Sequence, residues 1–383
     1  MPAKTDVSLD PVAALMPGED ARPRKVPTVR KVLVFVAMFS VSGVVGALAA
    51  RALGDAPAWQ LVPLLASLVL SLWLQLIVHE AGHALAGMAR GMRPVGIGLG
   101  PLRMERGVGG WRTRWGGGVR GIGGFAALVP APDRARPARD EAIYLAGGPL
   151  ANLAAAAVAA IPLASGATGL WAGALWMFAG VGTMLGVVNL LPFHSQGWRS
   201  DGRGLLDLLR AAPDALQMRR MTQLASLSMA GVRARDWPAA MVPPLPGADA
   251  APAIARMALM LRHAHALDTG ADDDARACAH ALRALHHDAP DGVRQISALT
   301  LASHAALVER DRVLLAAWRS RCEGGLLDLG AHRAWLDAEL AALAGDRPAR
   351  DAALARARAA LPRVHDAGSA RVLGEWIDRC AAA

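Results

Sequence analysis

Four long apolar runs govern what this chain can become: Val32 to Ala50, Leu61 to Met88, Ala142 to Ala164 and Leu170 to Leu191. Each is about as long as the roughly 20 helical residues needed to cross a hydrocarbon core. Of the 383 residues 54% are hydrophobic, and most of that weight lies in the first half. From about Arg203 onward charges recur every few residues and no comparable run follows. The expected division is therefore a disordered tail over residues 1–31, a membrane-embedded unit over 32–202 and a water-soluble helical unit over 203–383. The expected fold class is an α-helical multi-pass membrane protein with about four spans. A small membrane-associated β-hairpin or sheet lies between spans two and three, and an all-α soluble domain follows at the C-terminal end.

The basic residues orient the spans. Arg22, Arg24, Lys25, Arg30 and Lys31 precede the first run, and many more arginines fill the connection from Arg90 to Arg139. Positive flanks of short loops stay in the cytoplasm, so both segments share that side. With an even number of spans, the N-terminal tail and the soluble half are both expected there, in the cell membrane's cytoplasmic lee. The formal net charge of +9 is accounted for largely by these flanks, and aromatic residues make up only 4%. Basic charge without stacking residues is a weak nucleic-acid footprint, so no nucleic-acid partner is expected. Cys278, Cys322 and Cys380 lack metal-knuckle spacing, and Cys278 and Cys380 fall in apolar helical stripes; the three read as core thiols.

The connection after the second run alternates glycine with apolar and basic residues. Val95 to Pro101, Trp111 to Trp115 and Val119 to Leu128 read as short strands joined by glycine turns. In the soluble half Ile254, Met257 and Leu261 make one helical face, while Ala275, Cys278, Leu282 and Leu285 make another. Asp272 to Asp274 suit a helix start. Helical hairpins are expected, without a clean repeat.

The second run ends in His79-Glu80-Ala81-Gly82-His83. Histidines four apart share one helical face, so both imidazoles can bind one metal ion while Glu80 serves as a general base. His79 lies about 27 Å beyond Leu61 at roughly 1.5 Å per residue, toward the cytoplasmic boundary. Ionisable groups inside a span are expensive and usually functional. A third ligand must come from elsewhere. Asp201, beside Gly202 and soon after the fourth span, can fold back to the pair; it could instead cap the helix expected from Gly204.

These motifs in order, His79-Glu-Ala-Gly-His83 within a span, Gly147-Gly-Pro-Leu-Ala-Asn152 in the next, and Asn189-Leu-Leu-Pro192 followed by Asp201-Gly202, resemble the site-2 protease family of intramembrane zinc metalloproteases. Gly123-Gly124-Phe125 is similar to that family's membrane-associated β-hairpin region. The resemblance covers about Leu61 to Gly202. It implies one Zn2+ held by His79, His83 and Asp201, with Glu80 as catalytic base, and peptide-bond hydrolysis in a membrane-protein substrate near the cytoplasmic face, as in regulated intramembrane proteolysis. Asn152 and the Gly147 to Pro149 turn, with Gly148 and Pro149, would line the site near the substrate, joined by Gly124, Phe125 and Asn189. The chain departs from the family twice. Pro192 and Asp201 are unusually far apart, which leaves His194 as an alternative ligand. The connection between spans two and three is also too short for an inserted PDZ domain, so substrate selection falls to the C-terminal helices, which could also recruit a protein partner. A rival reading is a non-proteolytic metal-binding scaffold that recruits a partner through those helices; an intact Glu80 argues against it.

Overall fold

The computed structural model describes residues 12–18, 43–44, 46–51, 54, 57–116, 123–131, 138–195, 198–325 and 327–383. Three helices are long and apolar enough to cross a membrane: α1 (Leu61–Ala89), α2 (Ala138–Ala164) and α3 (Gly169–Leu190). They coincide with the second, third and fourth apolar runs. Most of the first run, Val32 to Ala50, lies outside the described residues. Helix α1 is inverted relative to a soluble helix. Ser71, Gln75, His79, Glu80 and His83 are buried, whereas Leu65, Val69, Leu70, Trp73 and Ile77 face outward. That polarity suits a lipid surround, where apolar side chains lose nothing by facing out and polar ones need protein partners. The helices meet through small residues: a Cβ on Gly82 would stand only 2.4 Å from the Gly147 carbonyl oxygen of α2. Any side chain there would push the two backbones apart.

Between α1 and α2 lies an antiparallel sheet, β1 (Arg93–Leu99), β2 (Leu102–Gly107), β3 (Gly110–Trp115) and β4 (Gly124–Val129), in the order β3-β2-β1-β4. Strands were expected at β1, β3 and β4; residues 119–122 of the last expectation lie outside the described residues. Strand β2 was not anticipated, because Leu-Arg-Met-Glu-Arg-Gly carries three charges. Alternation sorts two of them inward: Arg103 and Glu105 are buried, while Arg106 shares the outward face with Leu102 and Met104, beside Trp111 and Trp115. Arg103 donates to the Gly325 carbonyl (2.9 Å), and Glu105 accepts from Arg114 (2.8 Å). The face carrying Arg103 and Glu105 is thus covered by the soluble half, and the mostly apolar face is the outer one. The turn after β1 abuts α1, with Gly100 (φ +55°) against the Trp73 ring.

The second half folds into short helices: α4 (Asp201–Leu209), α5 (Pro213–Met229), α6 (Pro252–Thr269), α7 (Asp272–Leu285), α8 (Asp291–His304), α9 (Arg312–Arg319), α10 (Gly330–Leu343), α11 (Arg347–Ala360) and α12 (Ala367–Ala382). Their shared core contains Leu282, Leu301, Leu315, Trp318, Trp335, Leu336, Leu354 and Ile377. Cys278, Cys322 and Cys380 are buried in it, and burial pushes each thiol up to about 12, so they are inert packing groups. The unit is joined to the sheet by main-chain bonds: Val108 N–H donates to the Val364 carbonyl and Gly109 N–H to that of Pro362, each at 2.9 Å.

The tail expected to be disordered behaves differently over its described part. Residues 13–15 form a single 3-10 turn that docks on the soluble half, with Leu15 only 2% exposed. Val-Ala-Ala-Leu-Met is apolar enough to find a groove, and burying its leucine offsets the entropy of ordering so short a piece.

Candidate metal centre

The last turns of α1 place His79 and His83 side by side with their Nε2 atoms 3.2 Å apart. Asp201 Oδ2 lies 3.4 Å from each Nε2. One ligand atom from each of the three residues falls within 4.8 Å of the others, the one such group among the described residues. Both imidazoles are oriented from behind. His83 Nδ1 is 2.7 Å from the Tyr144 carbonyl oxygen, which can only accept, so Nδ1 carries the proton. His79 Nδ1 is 2.7 Å from Asn152 Oδ1. The Asn152 amide nitrogen donates to the Gln75 carbonyl (2.7 Å) and to Gln75 Oε1 (2.8 Å), which fixes the amide with its oxygen toward His79. Each Nε2 therefore presents a lone pair to the common point. Two imidazole nitrogens, one carboxylate oxygen and held second nitrogens form the donor set that suits a divalent zinc-type ion.

Asp201 arrives from a different element. Ser200 is the N-cap of α4, its hydroxyl accepting from Arg203 N–H (3.1 Å), so Asp201 takes the first helical position and its carboxylate is free to face the histidines. The alternative in which Asp201 caps the helix is thereby replaced. The residues separating Pro192 from Asp201 form a hairpin of β5 (His194–Ser195) and β6 (Trp198–Arg199). Ser200 clips its base, its hydroxyl donating to the Leu191 carbonyl (2.6 Å) and accepting from Phe193 N–H (3.1 Å). Gly202 is required next to the ligand, because a Cβ there would lie 1.9 Å from the Leu190 carbonyl oxygen. His194 is exposed on the hairpin and does not belong to the ligand group. Burial works against the Asp201 charge, but hydrogen bonds and charge from His79 and His83 outweigh it and hold the carboxyl below the usual aspartate range. Arg199, two residues before the ligand, points toward the buried Glu141 of α2 (3.6 Å), which Arg219 of α5 also approaches (3.8 Å).

The ligands open into a cleft of about 750 Å3 between α1, β4, the α3 end and the soluble half. Glu80 lines it beside the ligands, and Gly124 of β4 leaves just enough room, since a Cβ there would stand 2.9 Å from Glu80 Oε1. Phe125 and Asn189 also line the cleft, as do Met229, Leu327 and His365 of the soluble half. The other three residues expected near a substrate are buried in α2. Asn152 is fully buried against His79, Gly148 lies against the His83 ring, and Pro149 is buried within α2. Sequence reasoning missed Gln75 and Ser200. Gln75 had a signal, a lone amide one helical turn before His79 in an apolar run; Ser200 had only the capping preference of serine.

Apolar helices that bury polar faces, a His-His-Asp ligand group and a glutamate between its histidines define a metallopeptidase centre set into a membrane-length helix. Residues 67–209 match the model described as Peptidase family M50. The chain carries a metallopeptidase domain of that family, the site-2 protease family. The match ends with α4, one short helix beyond the boundary expected near Arg203. No curated protein and no solved structure matches the chain.

Proposed function

We propose that this protein hydrolyses a peptide bond of a membrane-protein substrate at the cytoplasmic end of its spans, using one Zn2+ held by His79, His83 and Asp201. The observation that carries the reading is the convergence of those ligands with Glu80 in one cleft at the end of a membrane-length helix. Bound zinc would supply a Lewis acid that polarises the scissile carbonyl and makes water a nucleophile near neutral pH. Glu80 accepts the proton of the attacking water at its carboxylate and returns it to the leaving amine. Asn152 and Tyr144 hold the two imidazoles through their Nδ1 protons, so the ligand geometry is set before substrate arrives.

A substrate helix hides its carbonyls in i to i−4 bonds and must unwind to be cut. Strand β4 is an edge strand that borders the cleft, and it can hold the unwound segment by strand addition. Gly124, Phe125 and Asn189 then face the substrate, whereas Asn152 and Gly148 act through the ligands they touch and Pro149 packs toward Gly186 of α3. The soluble half contributes to the cleft wall and is the part proposed to select substrates.

The decisive experiment compares purified wild type with Glu80→Gln on a transmembrane model substrate, with zinc measured in both. Cleavage should fall by about 10² to 10⁴-fold with zinc retained. Unchanged turnover would refute the mechanism, and would favour neither this base nor this cleft.

A further inference from the structure

The soluble half has a groove that already holds a peptide, and the peptide comes from the far end of the chain. Leu15 is buried in the core between α7 and α9, and Val12 and Met16 pack beside it. Two side chains of the soluble half read its main chain. Trp318 Nε1 of α9 donates to the Leu15 carbonyl at 3.0 Å, and Arg283 Nε of α7 donates to the Met16 carbonyl at 3.0 Å. Trp318 is itself 1% exposed and held edge-on by the His286 ring. A Cβ added at Gly18 would stand 3.3 Å from His287 Nε2 and 3.4 Å from Arg283 Nη2, so this end of the segment also runs close to α7. One apolar anchor in a pocket, with flanking carbonyls bonded by side chains, is how a short linear segment is recognised.

We infer that residues 12–18 are a latch: a segment ahead of the membrane unit that binds this groove in cis and ties the soluble half to the membrane's cytoplasmic face. Trp318 and Leu15 are 303 positions apart, with the membrane helices between them. The contact therefore restricts topology. A segment before the spans and a domain after them can touch only if the chain crosses the membrane an even number of times between them. Helices α1, α2 and α3 are the three described helices long and apolar enough to cross, which counts three crossings between them. An even count then calls for one more between Gly18 and Leu61, and in the sequence of that stretch Val32 to Ala50 is the apolar run of sufficient length. The latch and the charge pattern thus reach the same parity by independent routes. Because both partners are anchored at one membrane surface, their effective concentration is high, and a single buried leucine with two hydrogen bonds suffices to keep the groove filled.

The test uses the full chain in sealed vesicles of one orientation and a membrane-impermeant maleimide. Single cysteines replace Ala13, Leu15 or Ala359, the first and last being exposed; the native thiols are buried. Ala13→Cys and Ala359→Cys should react from the same side, and Leu15→Cys should react at least tenfold more slowly than Ala13→Cys. Equal rates at positions 13 and 15, or reaction of 13 and 359 from opposite sides, would overturn the latch. A second measurement addresses the groove itself. The chain lacking residues 1–18 should capture a fluorescent peptide spanning Ser8 to Asp20 at least tenfold more tightly than the same peptide carrying Leu15→Asp, and equal capture would overturn the assignment. Neither readout depends on peptide-bond cleavage.

Discussion

A methyl group added at Gly148 would stand 2.4, 2.6 and 2.8 Å from Nε2, Cδ2 and Cε1 of His83. Ordinary carbon contacts begin near 3.5 Å, so the ring has to retreat by about 1 Å. A displacement of that size either stretches the 2.7 Å bond from Nδ1 to the Tyr144 carbonyl past the length of a hydrogen bond, or swings Nε2 away from His79 and Asp201. The overpacking costs about 1–3 kcal/mol. Loss of a ligand's orienting partner lowers metal affinity about 10–100-fold, and a misplacement of about 1 Å at the chemistry is worth roughly 10² in rate. Gly148→Ala should therefore keep its fold, lose zinc at concentrations that saturate wild type, and cleave at least about 100-fold more slowly. The assay is zinc content across a chelator series, read beside thermal unfolding in detergent. Gly374→Ala is the control, because it has open space around it in α12 and should alter neither. A Gly148→Ala protein that bound zinc with wild-type affinity would refute the account of how His83 is held.

Asp201→Ala should lower both zinc occupancy and turnover while His194→Ala leaves both near wild type; metal analysis of the two variants decides the third ligand, and the reverse pattern would move it to the hairpin. Asn152→Leu removes the acceptor of the His79 Nδ1 proton and leaves Gln75 without its donor, so zinc affinity measured by competition should weaken about 10–100-fold, with no change expected only if His79 is oriented by something else. Tyr144 donates its hydroxyl to the Ala126 carbonyl at 2.6 Å, an outward group of the edge strand that an added strand would use. Tyr144→Phe should therefore lower KM for an extended substrate with little effect on kcat, whereas a raised KM would mean that the hydroxyl holds β4 in its receptive shape.

The ligand pair was legible in the sequence because an i, i+4 spacing on a helix is a local rule and the run before it identified the helix. Asp201 was legible only as a candidate, since what frees its carboxylate is a hairpin clipped by Ser200 and a close approach at Gly202, both contacts between residues whose proximity no local pattern encodes. Asn152 shows the limit most clearly. Its place in a motif suggested a position lining the site near the substrate, and only the structure shows it buried between Gln75 and His79, with its amide oxygen 2.7 Å from His79 Nδ1. Strand β2 was hidden for a related reason: the partners that bury Arg103 and Glu105 come from elsewhere in the chain, Gly325 for Arg103 and Arg114 for Glu105. The docking of Leu15 had no signal in the tail expected to be disordered, because its pocket is formed by helices far along the chain.

The hairpin between α3 and α4 separates two jobs that a shorter connection would merge. Span end and metal ligand are joined at the base of the hairpin, where the Ser200 hydroxyl bridges Leu191 and Phe193 and Gly202 seats against Leu190. The strands beyond that base carry no ligand. Chain inserted between β5 and β6 would therefore carry only the modest entropic cost of a longer loop, while the coordinating oxygen is held at the base. The position of the coordinating oxygen is thereby made independent of the length of chain that separates it from the span in sequence.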